Sequence, residues 1–248
     1  MKRKNTKMSK LYVNIDHVAT LRNQRGTFYP DPISIAKICE ENGAEGITVH
    51  LREDRRHIKD ADVLALRKEI KTVLNLEMAC TNEMIAIAKR IKPEISCIVP
   101  EKREELTTEG GLDVKKGFEK IKALVEELQS SDILVSLFIE PDYEQIEFAK
   151  KTGARYVELH TGTYANATKE NERKMELERI LKAVAYVNKI GLTCNLGHGL
   201  DYSNVIPLVK QATNVSEYNI GHSIICRAVA VGMAQAVKEM NDLIKGNL

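Results

Sequence analysis

Short apolar runs alternate with longer amphipathic stretches along the whole chain. Residues 11–16, 46–51, 73–79, 95–100, 133–140, 156–161, 192–196 and 217–221 are mostly β-branched or aliphatic, so each predicts a strand. Their near-continuous apolar character suits strands buried on both faces of a parallel sheet. Helical periodicity falls between them, over 32–42, from Thr81 and Met84 onward, and over 115–129, 144–151, 170–189, 204–210 and 224–244. Asp31 before Pro32 is a good helix start, and Gly43 a good stop. Over 115–129, Phe118, Ile121, Leu124, Val125 and Leu128 share one face.

Eight strand–helix units without a composition break predict a parallel α/β fold. The chain has 248 residues, close to the length of one (β/α)8 barrel, so a single-domain TIM barrel over 11–248 is expected. No G-x-G-x-x-G follows the first strand, which weakens a dinucleotide fold. Residues 1–10 are basic, with Lys2, Arg3, Lys4, Lys7 and Lys10, and are expected to form a flexible tail in which Met8 is a candidate start.

Net charge is +2 with basic residues spread along the chain, which argues against a nucleic-acid surface. No apolar run is long enough to span a bilayer. Cys39, Cys80, Cys97, Cys194 and Cys226 form no C-x-x-C pair. They read as reduced, packed thiols, consistent with a cytoplasmic location.

The candidate chemistry lies at one end of the expected barrel. His17, His50, His57, His160, His198 and His222 all fall at the C-terminal end of a predicted strand or just after it. Barrel active sites are built there. Asn14, Asp16, Glu77, Glu140, Glu158, Asn195 and Asn219 lie on or at the ends of strands. Glu77 inside an apolar strand is costly to bury unless it has a use. Gly197-His198-Gly199 and Gly221-His222-Ser223, after the last two strands, suit phosphate held by backbone N–H groups. Arg22, Arg25, Arg52, Arg55 and Arg56 add cationic groups after the first two strands, so two anion regions are expected. The long connection 101–113 carries Thr107, Thr108 and a Gly110-Gly111 pair and reads as a lid over the site.

Segments 13–17, 46–58, 75–78, 99–103, 197–200 and 219–222 together resemble the pyridoxine 5'-phosphate synthase family. The run His50-Leu51-Arg52-Glu53-Asp54-Arg55-Arg56-His57-Ile58 is its most specific part. The resemblance implies condensation of 3-amino-2-oxopropyl phosphate with 1-deoxy-D-xylulose 5-phosphate, without metal or organic cofactor, in a homo-octamer built from dimers. It implies His50 and Glu77 as proton acceptors, His198 as proton donor and Glu158 as a stabiliser of transition-state charge. It assigns Asn14, Arg25, Gly199, Gly221 and His222 to the aminooxopropyl phosphate. Asp16, His17, Arg52, His57 and Thr107 are implied to contact the deoxyxylulose phosphate. From the residues alone, a metal-dependent barrel hydrolase or aldolase and a non-catalytic phosphate-binding barrel stay open. The absence of an H-x-H pair on a strand weighs against the metal reading.

Overall fold

The strands pair side by side in chain order, all parallel, and the eighth returns to the first, closing a barrel. The computed structural model describes residues 8–101 and 110–247. Among these the strands are β1 (Lys10–Asn14), β2 (Gly46–His50), β3 (Val73–Met78), β4 (Ile95–Ile98), β5 (Leu134–Ile139), β6 (Tyr156–His160), β7 (Thr193–Gly197) and β8 (Val215–Ile220). The helices are α1 (Asp16–Arg25), α2 (Pro32–Glu41), α3 (Asp60–Glu69), α4 (Asn82–Ile91), α5 (Phe118–Gln129), α6 (Tyr143–Lys151), α7 (Gly162–Asn166), α8 (Glu170–Lys189), α9 (Val205–Gln211), α10 (His222–Val231) and α11 (Met233–Lys245). This is the expected single-domain (β/α)8 TIM barrel.

Local signals start several helices as the sequence predicts. Asp31 accepts hydrogen bonds from the Ile33 and Ser34 amides ahead of Pro32, and Thr81 accepts one from Met84. Two helices carry no legible stripe. In α1 only Asp16, Val18 and Ala19 are buried, too few for a helical periodicity. In α3 the buried set is Asp62, Val63 and Leu66. The predicted helix over 224–244 is two helices, parted at Gly232, whose φ is 82°. Strand β1 takes in Lys10, and Ser9 Oγ donates to Val215 O at 2.7 Å. Thr107 and most of the predicted lid lie outside the described residues.

The strands are buried on both faces, but the two faces differ in chemistry. Side chains alternate across a strand. Leu11 and Val13, Ile47 and Val49, Leu74 and Leu76, Leu137 and Ile139, and Val157 and Leu159 turn outward into the main apolar core beneath the helices. The inner face is largely polar: Asn14, Thr48, His50, Asn75, Glu77, Glu158, His160, Asn195, Glu217 and Asn219. Cys97, Val99 and Phe138 form a small separate apolar cluster. Thr48 Oγ1 donates to Asn219 Oδ1 at 3.0 Å and accepts from Asn75 Nδ2 at 3.2 Å. Asn219 Nδ2 donates to Glu158 Oε2, and Asn195 Nδ2 to Glu217 Oε2 at 2.6 Å. These bonds fix a polar floor across the barrel.

Candidate active site

A cavity of about 650 Å³ opens above that floor, at the C-terminal ends of the strands. Asn14, Asp16, His17, His50, Arg52, His57, Glu77, Glu158, His198, Gly199, Gly221 and His222 all line it. Twelve of the fourteen residues named by the resemblance therefore meet around one space. Arg25 does not line it; the side chain is exposed in the last turn of α1. Thr107 is outside the described residues.

Asp16 organises the first strand end. Its Oδ1 accepts the His50 amide at 2.8 Å and its Oδ2 accepts Asn14 Nδ2 at 2.9 Å. His50 ends β2, with Nε2 2.7 Å from Glu101 Oε1 and Nδ1 4.0 Å from Glu77 Oε2. Glu77 is half-buried on the inner face of β3. Burial, then the nearby Glu158 and Asp16 carboxyls, push its pKa well above the ordinary carboxylate range. Burial pushes Glu158 up to about 8, against the Asn219 hydrogen bond and with help from Glu217. These two carboxyls resist being ionised together. Their neutral forms can donate a proton and their ionised forms can accept one.

His198 follows β7 in the left-handed region, with φ 78°, and Gly199 has the same φ. Thr161 Oγ1 lies 2.7 Å from Gly197 O and 2.6 Å from His198 O, pinning the turn. Burial, then the neighbouring His160, lowers the His198 pKa to about 4, so its imidazole is neutral at pH 7. A Cβ on Gly221 would stand 2.8 Å from Asn14 Cβ, so the β8 turn needs glycine to lie against β1. The next residue, His222, begins α10, whose first amides have no acceptor within the helix. That end suits an anion.

The residues from which two anion regions are expected adjoin. The His17 ring centroid lies 5.2 Å from His222 and 6.0 Å from His57. Burial lowers the pKa of His17 and of His57, against the raising effect of Asp16. His57 Nδ1 is 2.8 Å from Thr20 Oγ1. The arginines divide. Arg52 lines the cavity. Arg22 instead forms a two-pronged bond to Asp62, at 2.7 and 2.8 Å. Arg55 bridges Asp60 and Glu83. Both act between elements of the fold, a use that a count of basic residues does not reveal.

Glu101 lies in segment 99–103, one of those that carry the resemblance, but no role is assigned to it there. It follows β4 directly, as the other site groups follow their strands, and that position is its legible signal. Its Oε2 accepts the Glu53 amide at 3.1 Å. For metal binding, Asp16, His50 and Glu77 are the candidate trio among the described residues, with ligand atoms within 4.8 Å of one another. Much of that capacity is already used, since Asp16 holds Asn14 and the His50 amide while His50 holds Glu101.

A family model described as "Pyridoxal phosphate biosynthesis protein PdxJ" matches residues 11–246. The chain is 54% identical over 238 residues to a pyridoxine 5'-phosphate synthase of Geotalea uraniireducens (strain Rf4), covering 96% of this chain and 99% of the relative. It is 55% identical over 235 residues to one of Idiomarina loihiensis, covering 95% and 97%. Among solved structures, KGPDC from Streptococcus mutans is similar, with TM-score 0.66 and 13% identity over 97% of this chain and 99% of that one. Tryptophan synthase from M. tuberculosis has TM-score 0.65 and 8% identity, over 96% and 93%. At such identities these structures speak for the barrel alone. The match along nearly the whole chain, with relatives more than half identical, makes this chain a member of the pyridoxal phosphate biosynthesis protein PdxJ family.

Proposed function

We propose that this chain carries out the pyridoxine 5'-phosphate synthase reaction. It condenses 3-amino-2-oxopropyl phosphate with 1-deoxy-D-xylulose 5-phosphate and closes the pyridine ring of pyridoxine 5'-phosphate. Inorganic phosphate and water are released. The observation that carries the reading is the convergence of His50, Glu77, Glu158 and His198 on one cavity that Arg52 and the Gly199 and Gly221 turns also line.

Acid–base work then divides by environment. His50 and Glu77 take protons from the condensing carbons and nitrogen, since a carboxyl with a raised pKa is a better base near neutrality. His198 delivers a proton to a departing oxygen. Glu158, neutral at pH 7 with a value of about 8, donates a hydrogen bond to developing negative charge. Asn14, Gly199, Gly221 and His222, which line the cavity, hold the aminooxopropyl phosphate. Asp16, His17, Arg52, His57 and Thr107 hold the deoxyxylulose phosphate. The amine belongs to a substrate, so no Schiff-base lysine is required and no metal or organic cofactor takes part. The enzyme works in the cytoplasm as a homo-octamer built from dimers.

The test is to incubate the purified protein with both phosphorylated substrates, with and without a chelator, and to measure pyridoxine 5'-phosphate and free phosphate. Product and phosphate in equal amounts, unaffected by chelation, are expected. Binding of both substrates without product would favour a phosphate-binding barrel. Activity lost with a stoichiometric metal would favour the metal-dependent reading.

A further inference from the structure

Five of the six histidines have a place in the chemistry above, and His160 has none. Yet His160 is buried at the end of β6, and its ring centroid lies 5.1 Å from that of His198. Its Nδ1 is 2.7 Å from Glu140 Oε1. That carboxylate also accepts the Gly111 amide at 3.1 Å and Arg179 Nη2 at 3.5 Å. Burial, the largest single influence, pushes Glu140 up, but the bond to and charge of His160, the Gly111 amide and Arg179 together outweigh it and hold the carboxyl below its ordinary value. An ionised carboxylate can only accept, so the proton of this pair sits on His160 Nδ1. The exchangeable nitrogen is therefore Nε2. Room for it is built into the backbone: a Cβ on Gly162 would collide with His160 Nε2.

A second cavity, of about 660 Å³, is lined by His160 and shares His198, Gly162 and Asn166 with the first. His198 thus borders both spaces. The charged groups facing His160 there are Glu140 from the end of β5 and Glu172, Glu176 and Arg179 on α8, with His198 across from it.

We propose that His160, oriented by Glu140, is a positioning and relay residue that feeds protons to His198 from the second cavity. The inference rests on His198 being the proton donor. A neutral imidazole that gives up its only N–H proton would be left as an anion. It avoids this by receiving a proton on its bare nitrogen in the same event. The His160 imidazolium transfers its Nε2 proton to His198, directly or through one water molecule. His198 transfers the proton on its other nitrogen to the departing oxygen, which keeps the electron pair of the breaking C–O bond. His198 ends neutral in its other tautomer, and His160 ends neutral with Nδ1–H still held by Glu140. Water in the second cavity then reprotonates Nε2.

The experiment compares His160→Ala, Glu140→Gln and His198→Gln by kcat, by KM for each substrate, by the pH profile of kcat and by added imidazole. His160→Ala is expected to lower kcat about 100-fold with both KM values within about twofold. Added imidazole, admitted by the second cavity, should restore at least about tenfold of the loss. Glu140→Gln should lower kcat with both KM values little changed, because His160 loses the carboxylate that holds its Nδ1 proton and orients the ring. A His160→Ala enzyme with normal kcat and pH profile, while His198→Gln is inactive, overturns the relay alone. Normal kcat in His198→Gln overturns the donor assignment beneath it. Lost activity in His160→Ala with raised KM values and no imidazole rescue makes His160 a packing residue and also overturns the relay. If His160→Ala does not fold, a normal kcat in Glu140→Gln decides against it.

Discussion

His50 and Glu101 form a closed pair at the edge of the cavity, Nε2 to Oε1 at 2.7 Å, with both side chains almost fully buried. Burial raises the Glu101 pKa, but the bond to His50, the Glu53 amide and Arg52 outweigh it and keep the carboxyl ionised. An ionised Glu101 fixes the His50 proton on Nε2 and leaves Nδ1 bare, on the side of Glu77. Glu101→Gln is expected to lower kcat by about 10–100-fold with little change in KM, since it alters the orientation and tautomer of a base but no substrate contact. Steady-state kinetics over both substrates checks this. A rise in KM at constant kcat would instead make Glu101 a substrate contact.

Glu77→Gln keeps the shape of the side chain and removes the base. Turnover should fall by about 10²–10⁴-fold while calorimetric titration still detects both substrates. Unchanged turnover would remove Glu77 from the chemistry.

Glu158 gives a prediction in pH and stability. Its folded-state pKa, about 8, lies above the ordinary value, so the folded protein binds this proton more tightly than the unfolded chain. The stabilisation is fully present below about pH 4.3 and is lost as pH rises through about 8. Glu158→Gln does not titrate. Its Tm relative to wild type should therefore rise between pH 5 and pH 9, by about 3 °C or more. Parallel melting curves across that range would contradict the raised value.

The phosphate turns can be tested through their glycines. A methyl at Gly221 would press on Asn14, at 2.8 Å from its Cβ, and one at Gly199 would meet Ala165 at 2.7 Å with φ at +78°. Either Ala variant should raise KM for 3-amino-2-oxopropyl phosphate about tenfold and leave KM for the other substrate nearly unchanged. Equal effects on both substrates would argue against separate anion regions.

Arg22 should behave as a structural residue. Arg22→Ala leaves Asp62 without its forked partner, and Asp62 also accepts the Lys59 amide at the start of α3. A loss of about 2–3 kcal/mol in stability is expected, with kcat and KM near wild type. Denaturant unfolding and kinetics on the same preparation separate the two effects.

The strand–helix rhythm is legible in the sequence because the outward residues, such as Ile47 and Val49 or Leu74 and Leu76, stay apolar on most strands, Ser96 of β4 being an exception. The inner face is harder to read. In β3 the sequence Val-Leu-Asn-Leu-Glu-Met looks like an apolar run broken by one odd carboxylate, yet it is a regular alternation between core and cavity. Helix α1 is invisible because its inner side is made by Asp16, Val18 and Ala19, with Asp16 serving the site. The histidines are legible by position alone. Their partners are not, because Glu101 reaches His50 across 51 positions and Glu140 reaches His160 across 20. Nothing local marks such pairs. Arg22 misleads for the same reason: only the fold reveals Asp62 beside it.

The hydrogen-bonded lining formed by Thr48, Asn75, Glu158 and Asn219 sets terms for anyone who would retool this scaffold for other sugars. Removing the polar group of Thr48, Glu158 or Asn219 strands a buried amide or carboxyl without a mate. Changes there have to be introduced as matched sets, whereas the turns at the rim can be altered one at a time. Laboratory evolution by single substitutions should therefore find its gains at the rim and leave the lining untouched.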